Sequence, residues 1–184
     1  MRLQAHGIGL DAPRGWEVRI ALRGDEEHAP GARVRPVLHA STVALPAVRG
    51  DFGGGVTALL GTEDVFVSLF EHDPAACATP LFADRGLPRP TAADFAPNRL
   101  QRSIPGQSGS QWFFQVGGRA FCLYVVLGSH ARRAALVERV RPLLATLALD
   151  ASLDVPVAET LDEPLDEPLD EPLDEPLDTA GGAR

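Results

Sequence analysis

Residues 111–127 read QWFFQVGGRAFCLYVVL, and this stretch decides the fold. Two apolar runs, Trp112–Val116 and Ala120–Leu127, flank the pair Gly117-Gly118. Glycine adopts the positive φ angles that a two-residue hairpin turn requires. The stretch therefore predicts an antiparallel β-hairpin, and we expect this hairpin to form the centre of a sheet.

An amphipathic helix is predicted directly after this hairpin. Gly128 ends the strand, and the hydroxyl of Ser129 can cap a helix. Apolar side chains then recur at positions i, i+4, i+7 and i+11, namely Leu136, Val140, Leu143 and Leu147. This spacing predicts a helix laid on the sheet. Because proline costs about 3 kcal/mol in a helix interior, Pro142 predicts a bend near residues 138–141.

Four further strands are predicted upstream of the hairpin. Residues 16–22 alternate between apolar and other side chains, the period of a half-buried strand. They are predicted to pair antiparallel with Leu3–Leu10. Val37–Leu45 is a third candidate, and Val65–Phe70 is apolar on both faces apart from Ser68, which predicts a central strand.

Two segments between these strands are predicted to be short helical turns. Residues 56–60 follow a run of glycines and suggest a short helix. Residues 81–98 contain three prolines and predict an irregular connection with one helical turn around Thr91–Phe95. Thr91 and Asp94 there have the spacing of a capping box.

The sequence of residues 151–184 is of a different kind. Four consecutive copies of Leu-Asp-Glu-Pro occupy residues 161–176. A proline at every fourth position removes donors that a helix or sheet would need, so we expect a disordered tail. Residues 151–184 carry 11 acidic residues and one arginine, a net charge of −10, which leaves +2 on residues 1–150. The chain is therefore divided into a globular domain, 1–150, and an acidic tail, 151–184.

The predicted fold class is α+β, with an antiparallel sheet flanked by helices. This order of elements, together with residues 9–16 (GLDAPRGW) and 118–121 (GRAF), resembles the PsbP-like α/β/α sandwich family. The resemblance covers residues 1–149. It implies a scaffold that binds partners and rarely catalyses.

Composition and charge favour a soluble, cytoplasmic protein without nucleic-acid or membrane partners. A charge of +2 is far below the basic footprint of a nucleic-acid-binding domain. The longest apolar run has eight residues, against about 20 for a membrane span, and the amino terminus lacks the apolar core of a signal peptide. Two distant cysteines, Cys77 and Cys122, predict reduced thiols.

Four short motifs resemble functional sites, and each has a simpler interpretation. Residues 106–110 (GQSGS) lack the strand-to-helix context of a nucleophile elbow and are predicted to be a polar loop. Glu71-His72-Asp73 with Cys77 lacks a second ligand pair for zinc and is predicted to be a turn. Residues 51–55 (DFGGG) lack the end of a phosphate-binding loop, and Cys122 lies in an apolar strand. We therefore predict no catalytic, cofactor-binding or metal-binding residue.

The remaining candidate site is the start of the predicted helix. Ser129, His130, Arg132 and Arg133 combine cations with the free N–H groups of a helix terminus, which suits a phosphate or carboxylate. Arg99 and Arg102 are possible neighbours in the irregular connection. All 17 basic residues are arginine, a pattern that fits either anion recognition or codon bias.

Three classes of function remain open from the sequence. The first is a non-enzymatic interaction or accessory module that binds another protein, basic in character if the acidic tail contacts it. The second is a structural subunit of a multiprotein assembly. The third is a small-molecule binder or enzyme, which a pocket with converging polar groups would favour.

Overall fold

The computed structural model describes residues 1–22 and 34–150. The predicted tail and most of the loop after residue 22 lie outside these ranges. The described residues form two antiparallel sheets and one α-helix, a mixed α+β fold. The strands are β1 Arg2–Ala5, β2 Ile8–Asp11, β3 Glu17–Leu22, β4 Pro36–Ser41, β5 Val65–His72, β6 Ser108–Val116, β7 Arg119–Leu127 and β8 Ala148–Leu149, and the helix is α1 Arg133–Ala145.

The larger sheet has five strands in the order β3-β4-β5-β7-β6. Its central strand is β5, as predicted for Val65–Phe70. The hairpin of β6 and β7 is present, but its predicted place at the centre is wrong. β7 is buried along its whole length because β5 pairs with it over eight residues, whereas β6 is half-buried at the sheet edge.

The first 11 residues form a hairpin of their own, which corrects the predicted single strand. His6 and Gly7 both have positive φ angles, 51° and 70°, and this geometry makes a two-residue turn between β1 and β2. β2 also pairs with β8, so these three strands form a second, small sheet. As a result β3 pairs with β4 and not with the first strand.

Helix α1 lies on one face of the five-stranded sheet and closes the main core. Its buried side chains are Leu136, Val137, Val140, Leu143 and Leu144, and they pack with residues of β5 and β7. The predicted amphipathic helix is thus confirmed. The helix runs as one element through Pro142, which lies in its last turn. With 13 residues, the α-helix of the described residues is too short to cross a membrane.

The helix begins at Arg133 and not at Ser129, so the predicted serine cap is wrong. Residues 129–132 form a turn in which the His130 N–H donates to Gly106 O at 2.7 Å and the Arg133 N–H donates to His130 O at 3.2 Å. Arg132 occupies the cap position, and its side chain makes no capping hydrogen bond.

Irregular chain covers the opposite face of the sheet, where the α/β/α arrangement predicts helices. Leu45, Val56 and Leu60 pack there against Phe66 and Tyr124. Glycine and proline are frequent in these connections, and neither sustains an α-helix. The described connections form only short 3₁₀ helices, at Thr57–Leu59, Pro74–Ala78, Pro80–Phe82, Ala92–Asp94 and Pro97–Arg99, and Ala92–Asp94 lies against α1 and not on this face.

Two of the short helical turns fall where the sequence predicts them. One lies within residues 56–60 and the other within Thr91–Phe95. The capping box is confirmed, because the Thr91 N–H donates to Asp94 Oδ2 at 2.7 Å.

A buried arginine joins the two sheets. Arg119, at the start of β7, forms a two-pronged ion pair with Glu71, with Nε–Oε1 at 3.1 Å and Nη2–Oε2 at 2.6 Å. Its remaining N–H groups donate to the carbonyls of His6, Gly7 and Asp150 at 2.9–3.2 Å. The guanidinium therefore connects the larger sheet to the β1–β2 turn and to the residue after β8.

Candidate functional site

The two arginines of the predicted anion site at the start of α1 bind groups within the chain, whereas His130 Nδ1 is buried without a partner among the described residues. Arg132 forms an ion pair with Glu63. Arg133 Nη1 donates to His130 O at 3.1 Å, and Ser129 is nearly buried. The two guanidinium groups therefore bind different partners within the chain, and they do not point together at one open anion-binding site.

The two arginines of the long connection differ from each other. Arg99 Nη1 donates to Asp94 O at 2.7 Å and ties the connection to itself. Arg102 is exposed, forms no hydrogen bond or ion pair with another described residue, and lines a small cavity. Among the four arginines of this predicted site, Arg102 is therefore the one that makes no hydrogen bond or ion pair with another described residue.

The metal-capable side chains at the end of β5 and just after it have structural partners. Glu71 pairs with Arg119, and Asp73 Oδ1 accepts from the Ala75 N–H at 2.9 Å to cap a 3₁₀ helix. Cys77 Sγ lies 3.4 Å from Gly118 O. Glu71 and His72 form the end of β5, so the turn begins at Asp73 and not at Glu71 as predicted.

For two of the other motifs, the structure corrects one prediction and agrees with the other. Ser108 and Ser110 are buried within β6, so the predicted polar loop ends earlier than expected. Cys122 is buried, and this burial raises the pKa of its thiol to about 12. A thiol with such a pKa is almost wholly protonated at neutral pH and is a poor nucleophile.

A row of polar side chains crosses the sheet face that irregular chain covers. His39, Ser68, Tyr124 and Gln111 stand directly opposite one another on β4, β5, β7 and β6. Sequence reasoning missed this row because its members come from four strands that are far apart in the sequence. Strand register alone brings them together.

His39 is the most perturbed member of the polar row. Arg49 Nε donates to its Nδ1 at 2.8 Å, and its Nε2 lies 3.2 Å from Asp51 O. Nδ1 is therefore an acceptor, and the ring carries its proton on Nε2 and is neutral. Burial, together with the nearby charge of Arg49, lowers the pKa of His39 to about 4.

A groove beside α1 has a volume of about 890 Å³. We call it the apolar groove. It lies between the second half of α1 and the proline-rich connection, with one residue each from β6 and β8. Its lining residues are Gly86, Leu87, Pro88, Arg89, Pro90, Thr91, Val116, Arg141, Leu144, Ala145 and Leu149.

Two arginines give the apolar groove a positive character. Arg89 is exposed and forms no ion pair with another described residue. Arg141 is half-exposed and shares its charge with Glu138 at 2.5 Å. The Thr91 hydroxyl already donates to Asp94 Oδ2 at 2.8 Å. The groove can therefore offer aliphatic contact and an unpaired guanidinium, but it brings together no acid–base pair or activated nucleophile.

Comparison with known proteins gives no match to a family model, to a curated protein or to a solved structure. The resemblance to the PsbP-like family therefore remains a prediction from the sequence.

Proposed function

We propose that this protein is a non-enzymatic interaction module and that the apolar groove is its docking surface for a partner protein. The observation that carries the proposal is the composition of the groove. Aliphatic and proline side chains form most of its lining, and its charged groups are two arginines. The PsbP-like resemblance, which implies a partner-binding scaffold, agrees with this proposal but remains an associational argument.

The occupant of the groove is a short extended segment with an aliphatic side chain next to a carboxylate. Leu87, Val116 and Leu149 are only partly buried, so an aliphatic side chain placed against them would remove apolar surface from water. Arg89 would then meet the neighbouring carboxylate of the partner. An Arg–carboxylate pair is frequently two-pronged and fixes orientation.

An extended peptide suits this groove better than an enzyme substrate does. Enzyme pockets bring several oriented polar groups towards one reacting atom. Here Arg89 lies exposed at the surface, while Leu144 and Pro90 are buried. Recognition by a few anchoring side chains is typical of peptide-binding grooves.

Two other predictions from the sequence belong to this proposal. The acidic sequence of residues 151–184 provides, through its charge, a contact for a basic surface. A cytoplasmic location fits the two free thiols of Cys77 and Cys122 and also remains a prediction.

A set of fluorescent eight-residue peptides tests the groove. The four peptides differ at two neighbouring positions: the first is leucine or alanine, and the second is glutamate or lysine. Fluorescence polarisation measures their binding to the full-length protein. We expect the leucine–glutamate peptide to bind with a Kd below about 1 mM and at least about tenfold more tightly than the other three.

Two matched variants locate the binding. Arg89→Glu places a like charge beside the carboxylate and should weaken binding about tenfold or more. Arg85→Glu changes an exposed arginine four residues away that does not line the groove, and it should leave binding unchanged. The proposal is wrong if no peptide binds below about 1 mM, or if both variants weaken binding equally.

A further inference from the structure

A small cavity lies on the sheet face opposite α1. It encloses about 160 Å³ and is lined by residues of the 52–58 turn, the 100–107 segment and Tyr124. Tyr124 belongs to the cluster of Leu45, Val56 and Phe66, whereas the residues of β7 that face α1 belong to the main core. The cavity is therefore separate from the apolar groove.

One wall of the cavity contains a buried acceptor without a partner. The Gln107 side chain is 3% exposed. Its Nε2 donates to Thr57 O at 2.8 Å, which fixes the direction of the amide. Its Oε1 has no hydrogen-bond partner among the described residues. A buried polar atom left unpaired costs about 1–3 kcal/mol, so this oxygen favours a ligand that carries an O–H or N–H group.

Tyr124, which also lines the cavity, provides a donor. Tyr124 is 1% exposed, and its hydroxyl oxygen accepts from the Gln101 N–H at 3.0 Å. The hydroxyl proton therefore points elsewhere, and no described residue accepts it. Burial raises the pKa of Tyr124, which keeps this proton in place at neutral pH.

Arg102 adds a positive charge at the cavity. Its side chain is exposed and, within the described ranges, has no carboxylate partner. A ligand that meets all three groups needs a negatively charged acceptor for Arg102 and Tyr124 and a donor for Gln107. The volume holds roughly five water molecules at about 30 Å³ each, which limits the ligand to a few heavy atoms.

We propose that this cavity binds a small α-hydroxy or α-amino carboxylic acid. The carboxylate accepts from the Tyr124 hydroxyl and pairs with the Arg102 guanidinium. The hydroxyl or amino group donates to Gln107 Oε1. This site does not depend on the apolar groove, and its occupancy would make the protein a small-molecule binder as well as an interaction module.

Lactate and propionate provide a matched pair of probes, because they differ by the one hydroxyl group that Gln107 would accept from. Calorimetric titration of the full-length protein should give a Kd for lactate of about 1 mM or below. Propionate should bind at least about tenfold more weakly, since it leaves Gln107 Oε1 unpaired. Alanine tests the amino form, and 1,2-propanediol tests the need for the carboxylate.

Three variants complete the experiment. Tyr124→Phe and Arg102→Gln should each weaken binding of the tightest probe about tenfold or more. Arg99→Gln, a change in the same connection away from the cavity, should leave it unchanged. Arg102→Gln alters an exposed side chain, so it reports on binding even if Tyr124→Phe lowers stability.

The results separate a ligand site from a cavity that only holds water. The proposal fails if neither lactate nor alanine binds below about 10 mM, or if propionate binds as well as lactate. It also fails if Arg102→Gln and Arg99→Gln have the same effect. The peptide experiment on the apolar groove does not bear on these outcomes, because Arg89 does not line this cavity.

Discussion

One face of the five-stranded sheet lies under α1, and the other lies under glycine-rich and proline-rich connections. On the helix side, aliphatic residues of α1, β5 and β7 form one continuous core. On the connection side, smaller clusters surround the polar row of His39, Ser68 and Tyr124. The first face is stabilised mainly by burial of apolar area, which has no preferred direction. The second face also depends on individual hydrogen bonds, which require a particular direction.

This difference indicates where ligands can bind. On the helix side, Ser108 Oγ and Ser110 Oγ are buried without a partner among the described residues, but neither serine lines the apolar groove. On the connection side, the cavity at Tyr124 contains an unpaired acceptor and an unpaired donor. The apolar groove lies at the margin of the helix side, where α1 meets the proline-rich connection.

The largest predicted effect on stability comes from breaking the buried ion pair between Arg119 and Glu71. Arg119→Met leaves the Glu71 carboxylate without its main partner, and Arg119 and Glu71 have only 5% and 6% of their side-chain surface exposed. Breaking a buried pair in this way costs about 3–5 kcal/mol. Urea denaturation should show this loss in the free energy of unfolding. Arg141→Met, which removes a surface pair with Glu138, should change it by less than about 1 kcal/mol; equal losses would contradict the role given to Arg119.

The second prediction concerns pH and the connection side. The pKa of His39 is about 4 in the folded protein and near 6.5 in the unfolded chain. Below pH 6.5 the unfolded chain therefore binds a proton that the folded protein does not, and stability falls as the pH is lowered towards 4. The full loss is about 3 kcal/mol, and above pH 6.5 this contribution is complete.

Denaturation at several pH values between 5 and 7 measures this effect, because carboxylates titrate mainly below that range. His39→Gln should be less stable at neutral pH, since it alters the contacts with Arg49 and Asp51. It should also lose most of the pH dependence. A variant that keeps the full slope would show that another group is responsible.

The smallest predicted effect distinguishes two neighbouring glycines in the turn over the polar row. Gly53 has φ of 76°, and a Cβ added there would overlap the Phe66 ring. Gly53→Ala should therefore cost about 1–3 kcal/mol. A Cβ at Gly54 meets nothing closer than 3.7 Å, so Gly54→Ala should stay within about 0.5 kcal/mol. Thermal unfolding of the two variants tests whether this turn is packed as the structure shows.

The sequence predicted those elements whose information is local. Residues 111–127 contain two apolar runs around a Gly-Gly pair, α1 has helical periodicity, and Thr91 with Asp94 forms a cap within four residues. All three features are therefore predictable from the sequence. Strand order is not predictable in this way, because no short stretch of sequence indicates that β5 lies between β4 and β7. The division of Leu3–Leu10 into two strands was missed because His6 was not recognised as a turn residue.

The candidate sites were harder to predict for the same reason. The polar row consists of residues from four strands, and the cavity combines Gln107 with Tyr124 and Arg102, which are brought together only by register and by the path of the connections. Of the six predicted contact residues, Arg102 lines the cavity. The charges around Arg132 and Arg133 were visible in the sequence, but their internal partners, Glu63 and the His130 carbonyl, were not.

The position of Arg119 has a consequence for the order in which the protein folds during synthesis. It bonds to carbonyls 112 and 113 residues earlier and to one 31 residues later. A hairpin of two short strands is marginally stable alone, so β1 and β2 must wait for β7 and β8 to leave the ribosome before they are held in place. The chain loses conformational entropy when such a long loop closes, and it does so before the new contacts stabilise the protein. This order of events slows folding. Residues 2–11 are thus among the last of the described residues to reach their native positions.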